Sequence, residues 1–210
     1  MIGIIDYDAG NIRSVEKAMK YLGQDVCITR DRDTLLRADK VILPGVGSFG
    51  DAMNHLQEYG LVDVIHELAE MEKPFLGICL GLQLLFERSE ESPGVEGLGI
   101  LKGEILKIPE AEGLKIPHMG WNSLHLQNSG RLFKDIPENT YVYFVHSYYL
   151  QAEDEEIVKA TTQYSTCIHA SVEKGNVFAC QFHPEKSSRW GLKILENFAA
   201  LEAGTGKEEA

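Results

Sequence analysis

The first half of the chain alternates short apolar runs with longer stretches at helical spacing. Ile2–Tyr7 (IGIIDY) is a β-branched run of strand length. In NIRSVEKAMKYLG, residues Ile12, Val15, Ala18, Met19 and Leu22 fall on one helical face, and Gly23 follows as a stop signal. DVCITR and KVILPGVG read as further strands, the second running into a glycine-rich turn. FGDAMNHLQEYG and LVDVIHELAEME read as two helices, PFLGIC as a strand and LGLQLLFERS as the helix after it. Strands alternating with helices through residue 88 predict right-handed βαβ units and a parallel sheet covered on both faces.

The second half changes character. From Gly99 the runs GILKGEILKI, NSLHLQ, TYVYFVHSYYL, EIVKATTQY, STCIHASVEKG and NVFACQFHPE are mostly strands joined by short turns. RWGLKILENFAALE is an amphipathic helix, and GTGKEEA is a polar tail expected to fray. No internal repeat and no linker interrupts the pattern. The expectation is one α/β domain over residues 1–203, with residues 204–210 as a disordered tail and the later strands extending the sheet.

Composition narrows the function classes. A chain of 210 residues, 44% hydrophobic and 25% charged, can bury a proper core as one domain or at most two. No apolar run approaches the roughly 20 residues of a membrane span, and MIGIIDYDAGN lacks the basic start of a signal peptide. Cys27, Cys79, Cys167 and Cys180 lie far apart with no CxxC pair, which speaks against a zinc site and a disulfide framework. A reduced, cytoplasmic protein is the plain expectation. The net charge of −12 disfavours nucleic acid and anionic membranes as partners, since no basic stripe offsets it.

Candidate chemistry centres on Gly77-Ile78-Cys79-Leu80-Gly81. A strand entering Gly-x-Cys-x-Gly and then a helix is the layout of a nucleophile elbow, in which flanking glycines allow a sharp turn that lifts the central side chain above the sheet. Backbone N–H groups opening a helix favour a thiolate and a developing oxyanion. The competing reading of Cys79 is a buried, inert cysteine; Cys27, Cys167 and Cys180, in strand-like runs, keep that reading. A thiol nucleophile needs a base. His55 and His66 sit on helices among acidic neighbours, and His125 and His169 alternate with apolar strand residues, so exposed surfaces suffice for all four. His183 differs, because it ends an apolar run in Gln181-Phe182-His183-Pro184-Glu185. Proline there stops the strand, and the spacing lets the Glu185 carboxylate turn back onto the imidazole and fix its tautomer.

GICLG at Cys79 together with QFHPE at His183 resembles the class I (triad) glutamine amidotransferases across nearly the whole chain. The loop Pro44-Gly45-Val46-Gly47-Ser48-Phe49-Gly50 has the PGVGxFG form of the glutaminase subunits of imidazole glycerol phosphate synthases. Asp6–Asn11 with Ser14-Val15, Pro117–Asn122 and Tyr143–Tyr149 agree with that subfamily. The resemblance implies a doubly wound, largely parallel sheet flanked by helices and extended by later antiparallel strands. It implies a Cys79–His183–Glu185 triad hydrolysing L-glutamine without a cofactor. It also implies a heterodimer with a (β/α)8-barrel cyclase subunit that receives the ammonia during histidine biosynthesis.

Further roles follow from the same resemblance, each beside a plainer one. The N–H of Leu80, and that of Val46 in the PGVG loop, would form the oxyanion hole; PGVG could equally be a tight turn. Glycines at 45 and 47 would let that peptide turn over, since φ > 0 costs them little. Gln83, one turn beyond Cys79, would hold the α-amino or carboxylate group of glutamine. Gly47, Ser147 and Tyr148 would contact glutamine, or simply pack. Trp121, in a Pro/Gly-bounded loop, would mark a contact surface, or sit in the core; Asn11, His118, Trp121, Asn122 and Tyr141 would lie at or near the cyclase interface. Two other readings compete. One is the glutaminase of pyridoxal 5′-phosphate synthase, whose loop is GGEST-like; the other is a non-catalytic binding module, which need not keep Cys79, His183 and Glu185 together.

Overall fold

A computed structural model of the protein describes residues 1–71 and 73–202; the expected tail at 204–210 lies outside them. The first half runs β1 (Ile2–Ile5), α1 (Ile12–Tyr21), β2 (Val26–Thr29), α2 (Arg32–Arg37), β3 (Lys40–Leu43), α3 (Phe49–Glu58), α4 (Leu61–Glu70), β4 (Phe75–Ile78) and α5 (Leu80–Leu84). The second half adds the short strand β5 (Arg88–Ser89), then β6 (Gly103–Lys107), β7 (His118–Ser123), β8 (His125–Leu126), β9 (Tyr141–His146) and β10 (Tyr148–Ala152). It continues through β11 (Val158–Tyr164), β12 (Thr166–Lys174) and β13 (Val177–Cys180) to the closing helix α6 (Ser188–Ala199).

The main sheet has the order β2-β1-β3-β4-β13-β12-β11-β8. Its first five strands are parallel, and β12, β11 and β8 continue it antiparallel. Successive residues of a strand face opposite sides, so the unbroken apolar runs supply two cores at once. On one face Ile5, Val41, Leu43 and Phe75 meet side chains of α2, α3 and α4. On the other, Ile4, Ile42, Leu76 and Ile78 meet Val15 and Met19 of α1 and Ile194, Leu195 and Phe198 of α6. The sheet is therefore doubly wound, with the last strand, β13, inserted next to β4. That insertion brings residues a hundred positions apart in sequence to one sheet edge, Cys180 standing opposite Ile78. Two smaller sheets, β10-β6-β5 and β7-β9, complete the set. Among the described residues no helix is long and apolar enough to cross a membrane.

Three expectations are corrected. The helix expected over LGLQLLFERS stops at Leu84, because the next carbonyls are taken by another segment. Leu98, Gly99 and Leu101 donate their N–H groups to Leu84, Phe86 and Leu85 at 2.8, 3.2 and 3.0 Å, and Leu84, Leu85 and Phe86 are all buried. PHMGWN is not a loop: His118–Ser123 pairs antiparallel with Tyr141–His146, Gly120 lying opposite Phe144. His169 is not on an exposed face either. It is buried, and its Nδ1 accepts the Ala152 N–H at 3.1 Å.

Candidate active site

β4 ends at Ile78 and α5 begins at Leu80, leaving Cys79 alone to make the turn. Its φ is 55° and its ψ −107°, a left-handed conformation that costs an L residue of order 1–3 kcal/mol. The flanking glycines serve a different purpose from the one the sequence suggested. Neither has positive φ; what each lacks is room for a Cβ. At Gly77 that atom would lie 2.7 Å from Gly81 O, and at Gly81 it would lie 1.9 Å from Leu43 O. The elbow is thus pressed against the end of β3, and only hydrogen atoms fit between. The Cys79 N–H is fixed by Cys180 O at 2.7 Å, so neighbouring β13 anchors the cysteine's own peptide.

Three residues past β13, His183 reaches the same place. Its N–H donates to Tyr143 O at 2.9 Å. Pro184 then opens a single 3-10 turn, Pro184–Lys186, which swings Glu185 back beneath the ring. His183 Nδ1 lies 2.8 Å from Glu185 Oε1, with both side chains fully buried. A carboxylate can only accept, so Nδ1 carries a hydrogen and Nε2 is the nitrogen that exchanges a proton with the thiol. That Nε2 is buried with no well-formed hydrogen bond. Burial pulls the imidazole toward neutrality, but the Cys79 side chain and the Glu185 carboxylate outweigh it and lift His183 to about 9. Such a ring is a strong base for the thiol proton.

A measurable consequence follows. The folded value of about 9 exceeds the ordinary imidazole value of about 6.5, so folding favours the charged ring. Its stabilisation is fully present below pH ~6.5 and is lost as pH rises through about 9. Glu185→Gln weakens this link. In urea unfolding, the variant is expected to be less stable than the wild type by on the order of 2 kcal/mol at pH 6, with the gap closing by pH 9.5. An equal gap at both pH values would contradict the assignment.

The other histidine pair titrates far below neutrality. Burial holds His118 at about 4 and, as the largest influence, His146 at about 3. His146 Nδ1 lies 2.9 Å from the Tyr148 carbonyl and must donate to it, so Nε2 accepts from His118 Nδ1 at 2.9 Å. His118 Nε2 then accepts from Asn122 Nδ2 at 3.3 Å. Stacked against Phe144 and Tyr164, His118 is a structural ring and presents no surface. Its exposed neighbours on the same ribbon are Met119 and Trp121 of β7 and Tyr141 of β9, at 62%, 52% and 59% exposure. Asn122 is half-buried and also donates to Gln163 O at 3.1 Å.

A cleft of about 330 Å³ opens over the sulfur. Val46, Gly47, Leu80, Gln83, Ser147 and Tyr148 line it with Cys79, so every residue expected to bind glutamine or its oxyanion faces one space. A larger groove between residues 126–135 and α6 contains none of them. Gln83 Nε2 gives its two hydrogens to Tyr148 O (3.0 Å) and Gln181 Oε1 (3.1 Å). Its oxygen is therefore the atom left for a ligand, which suits an ammonium rather than a carboxylate. In the PGVG loop Gly47 has φ 115°, but Gly45 does not have positive φ. Gly45 is glycine because a Cβ would meet the Tyr7 hydroxyl at 2.1 Å, and that hydroxyl holds Pro44 O at 2.7 Å. The Leu80 N–H donates to Gly45 O at 3.3 Å, so one expected oxyanion donor is engaged by the loop itself.

Sequence reasoning missed three participants. Asn11, expected at an interface, bonds Glu185 Oε1 through its Nδ2 at 2.5 Å, and it stands in the left-handed region at φ 70°. Glu91 lines the cleft while its Oε2 accepts the Phe49 N–H at 2.8 Å, and it carried no signal in sequence. Gln181 bonds both Gln83 and Cys79.

Comparison with known proteins agrees with this geometry. Residues 3–201 match the family described as glutamine amidotransferase class-I. Among curated relatives, imidazole glycerol phosphate synthase subunit HisH of Moorella thermoacetica is 52% identical over 98% of this chain and 97% of its own. The subunit of the same name from Methanocaldococcus jannaschii is 51% identical over 96% of this chain and 100% of its own. A solved glutamine amidotransferase superposes with a TM-score of 0.73 at 22% identity, covering 94% of this chain and 98% of that one. PurLQS from Thermotoga maritima gives 0.71 at 24%, with coverages of 94% and 96%. The chain belongs to the class I glutamine amidotransferases and, within them, to the imidazole glycerol phosphate synthase subunit HisH family.

Proposed function

We propose that this chain is the glutaminase subunit of an imidazole glycerol phosphate synthase. The carrying observation is Cys79, held at φ 55° above the sheet, beside a buried His183–Glu185 pair at the mouth of a glutamine-sized cleft. Glutamine enters with its α-ammonium toward Gln83 Oε1 and the Glu91 carboxylate. Gly47, Ser147 and Tyr148 close around its backbone end. Cys79 Sγ attacks the side-chain amide carbon as His183 Nε2 takes the thiol proton. The oxyanion is received by the N–H groups of Leu80 and Val46. His183 returns the proton to the leaving nitrogen, the C–N bond breaks, and ammonia departs. Water activated by His183 then cleaves the γ-glutamyl thioester to glutamate and free thiol.

The ammonia passes to a (β/α)8-barrel cyclase subunit within histidine biosynthesis. It joins the phosphoribulosyl-formimino-carboxamide nucleotide there, yielding imidazole glycerol phosphate and the aminoimidazole carboxamide ribotide. The Met119–Trp121–Tyr141 face docks that partner. An exposed aromatic cluster rimmed by polar groups is the usual anchor of such a surface.

Because the Leu80 N–H is taken up by Gly45 O, the free subunit is short of an oxyanion donor. One donor is worth roughly 10²–10³ in rate. Glutamate release by the chain alone is therefore expected to be slow, rising about a hundredfold or more with cyclase subunit and its nucleotide. Full turnover by the isolated chain would refute the gated loop. Activity indifferent to the cyclase would keep the nucleophile and point to a different synthase.

A further inference from the structure

Behind the nucleophile lies a buried amide that has no place in the triad. Gln181 follows β13 directly and is completely inaccessible to solvent. Its Nε2 approaches Cys79 Sγ at 3.7 Å, within hydrogen-bond range for sulfur. Its Oε1 accepts from Gln83 Nε2 at 3.1 Å.

The orientation of both amides is fixed by a backbone group. The Tyr148 carbonyl can only accept, so Gln83 must present its nitrogen to it, at 3.0 Å. The same nitrogen faces Gln181, which must answer with its oxygen. The NH₂ of Gln181 is thereby turned to the sulfur and cannot be exchanged for an acceptor. An amide nitrogen has no lone pair to offer an S–H. The thiol hydrogen must point elsewhere, toward Val145 O at 4.0 Å or toward His183. A donor aimed at sulfur favours the negatively charged form over the neutral one, and a fully buried amide needs both of its bonds to offset the loss of water.

We propose that Gln181 is a further residue of the reaction: oriented by Gln83, its amide donates to Cys79 Sγ, fixing the sulfur's position and favouring the thiolate. This rests on the reading of Cys79 as nucleophile. It also makes the substrate's seat and the attacking atom parts of one hydrogen-bonded chain, Tyr148 O–Gln83–Gln181–Cys79.

The test uses the full chain in complex with its cyclase subunit. Gln181→Met keeps the length and removes the donor; Gln181→Glu keeps an oxygen for Gln83 but sets negative charge beside the sulfur. Alkylation by iodoacetamide at pH 7 is followed at Cys79 by peptide mass spectrometry, because Cys167 is exposed and Cys27 half-exposed. Loss of one hydrogen bond to a charged group is worth roughly tenfold. Both variants are expected to slow Cys79 alkylation and lower kcat about tenfold, with KM for glutamine within about threefold. If neither folds, Gln83→Met leaves Gln181 in place without its guide, and alkylation is expected to slow about threefold. Unchanged alkylation in folded variants, or a change confined to KM, would overturn the proposal. Glutaminase activity surviving in Cys79→Ala would instead overturn the nucleophile reading beneath it.

Discussion

Cys79→Ala is expected to lower glutamate release by at least about 10⁴-fold, the scale on which removal of a triad nucleophile acts. The remaining groups cannot substitute. Cys180, the thiol on the adjoining strand, is wholly buried, and burial holds it firmly in its neutral form. His183 without a thiol in reach could activate water directly, but no elbow would position that water. The substitution removes one sulfur and leaves the peptide bond to Cys180 O, so the fold should survive, although φ of 55° suits alanine no better than cysteine. Synthesis by the complex from added ammonium ion should therefore persist near the wild-type level, because the cyclase site does not use Cys79. Assaying the two nitrogen sources side by side decides the matter. Loss of both would mean that the variant misfolds or fails to dock, and retention of both would exclude Cys79 as the nucleophile.

Much of this site is legible in the sequence. The βαβ rhythm up to residue 88 marked β1, β3 and β4 because strands buried on both faces are almost continuously apolar, as are IGII, FLGI and the Val41–Leu43 part of β3. GICLG and QFHPE were readable because an elbow and a strand-ending proline each impose a local spacing. What could not be read was long-range. Nothing in NVFACQ shows that β13 inserts beside β4 rather than extending the edge, yet that placement is what joins Cys79 to His183. The truncation of α5 depends on N–H groups of residues 98–101, which no local pattern announces. Gln181 and Glu91 are ordinary polar residues in sequence, and only burial and contact distinguish them. The role of the glycines was right in outline and different in cause: at Gly77 and Gly81 the constraint is closeness to backbone oxygen, while the positive φ falls on the cysteine.

That cause yields the second large effect. Gly81→Ala is expected to cost about 10³-fold in glutamine hydrolysis and to destabilise the chain by roughly 2–3 kcal/mol, the upper part of the roughly 1–3 kcal/mol typical of an overfilled interior. The added Cβ would stand 1.9 Å from Leu43 O and 2.9 Å from Leu43 C, and both are backbone atoms at the end of a central strand with no rotamer to change. Relief requires α5 to move away from β3. Cys79 and the Leu80 N–H ride on the first turn of α5, whereas Val46 follows three residues after Leu43. The movement therefore widens the gap between the two proposed oxyanion donors as well as displacing the sulfur, and a misplacement of about 1 Å can cost on the order of 10² in rate. Stability and chemistry fall together because one contact, glycine against carbonyl, sets the height of the elbow above the sheet. Urea unfolding and glutamate release measured on the same preparation test this directly. A Gly81→Ala chain that keeps wild-type stability and turnover would show that the elbow can lift from β3 at no cost to the site, and the close approach would then have no catalytic meaning.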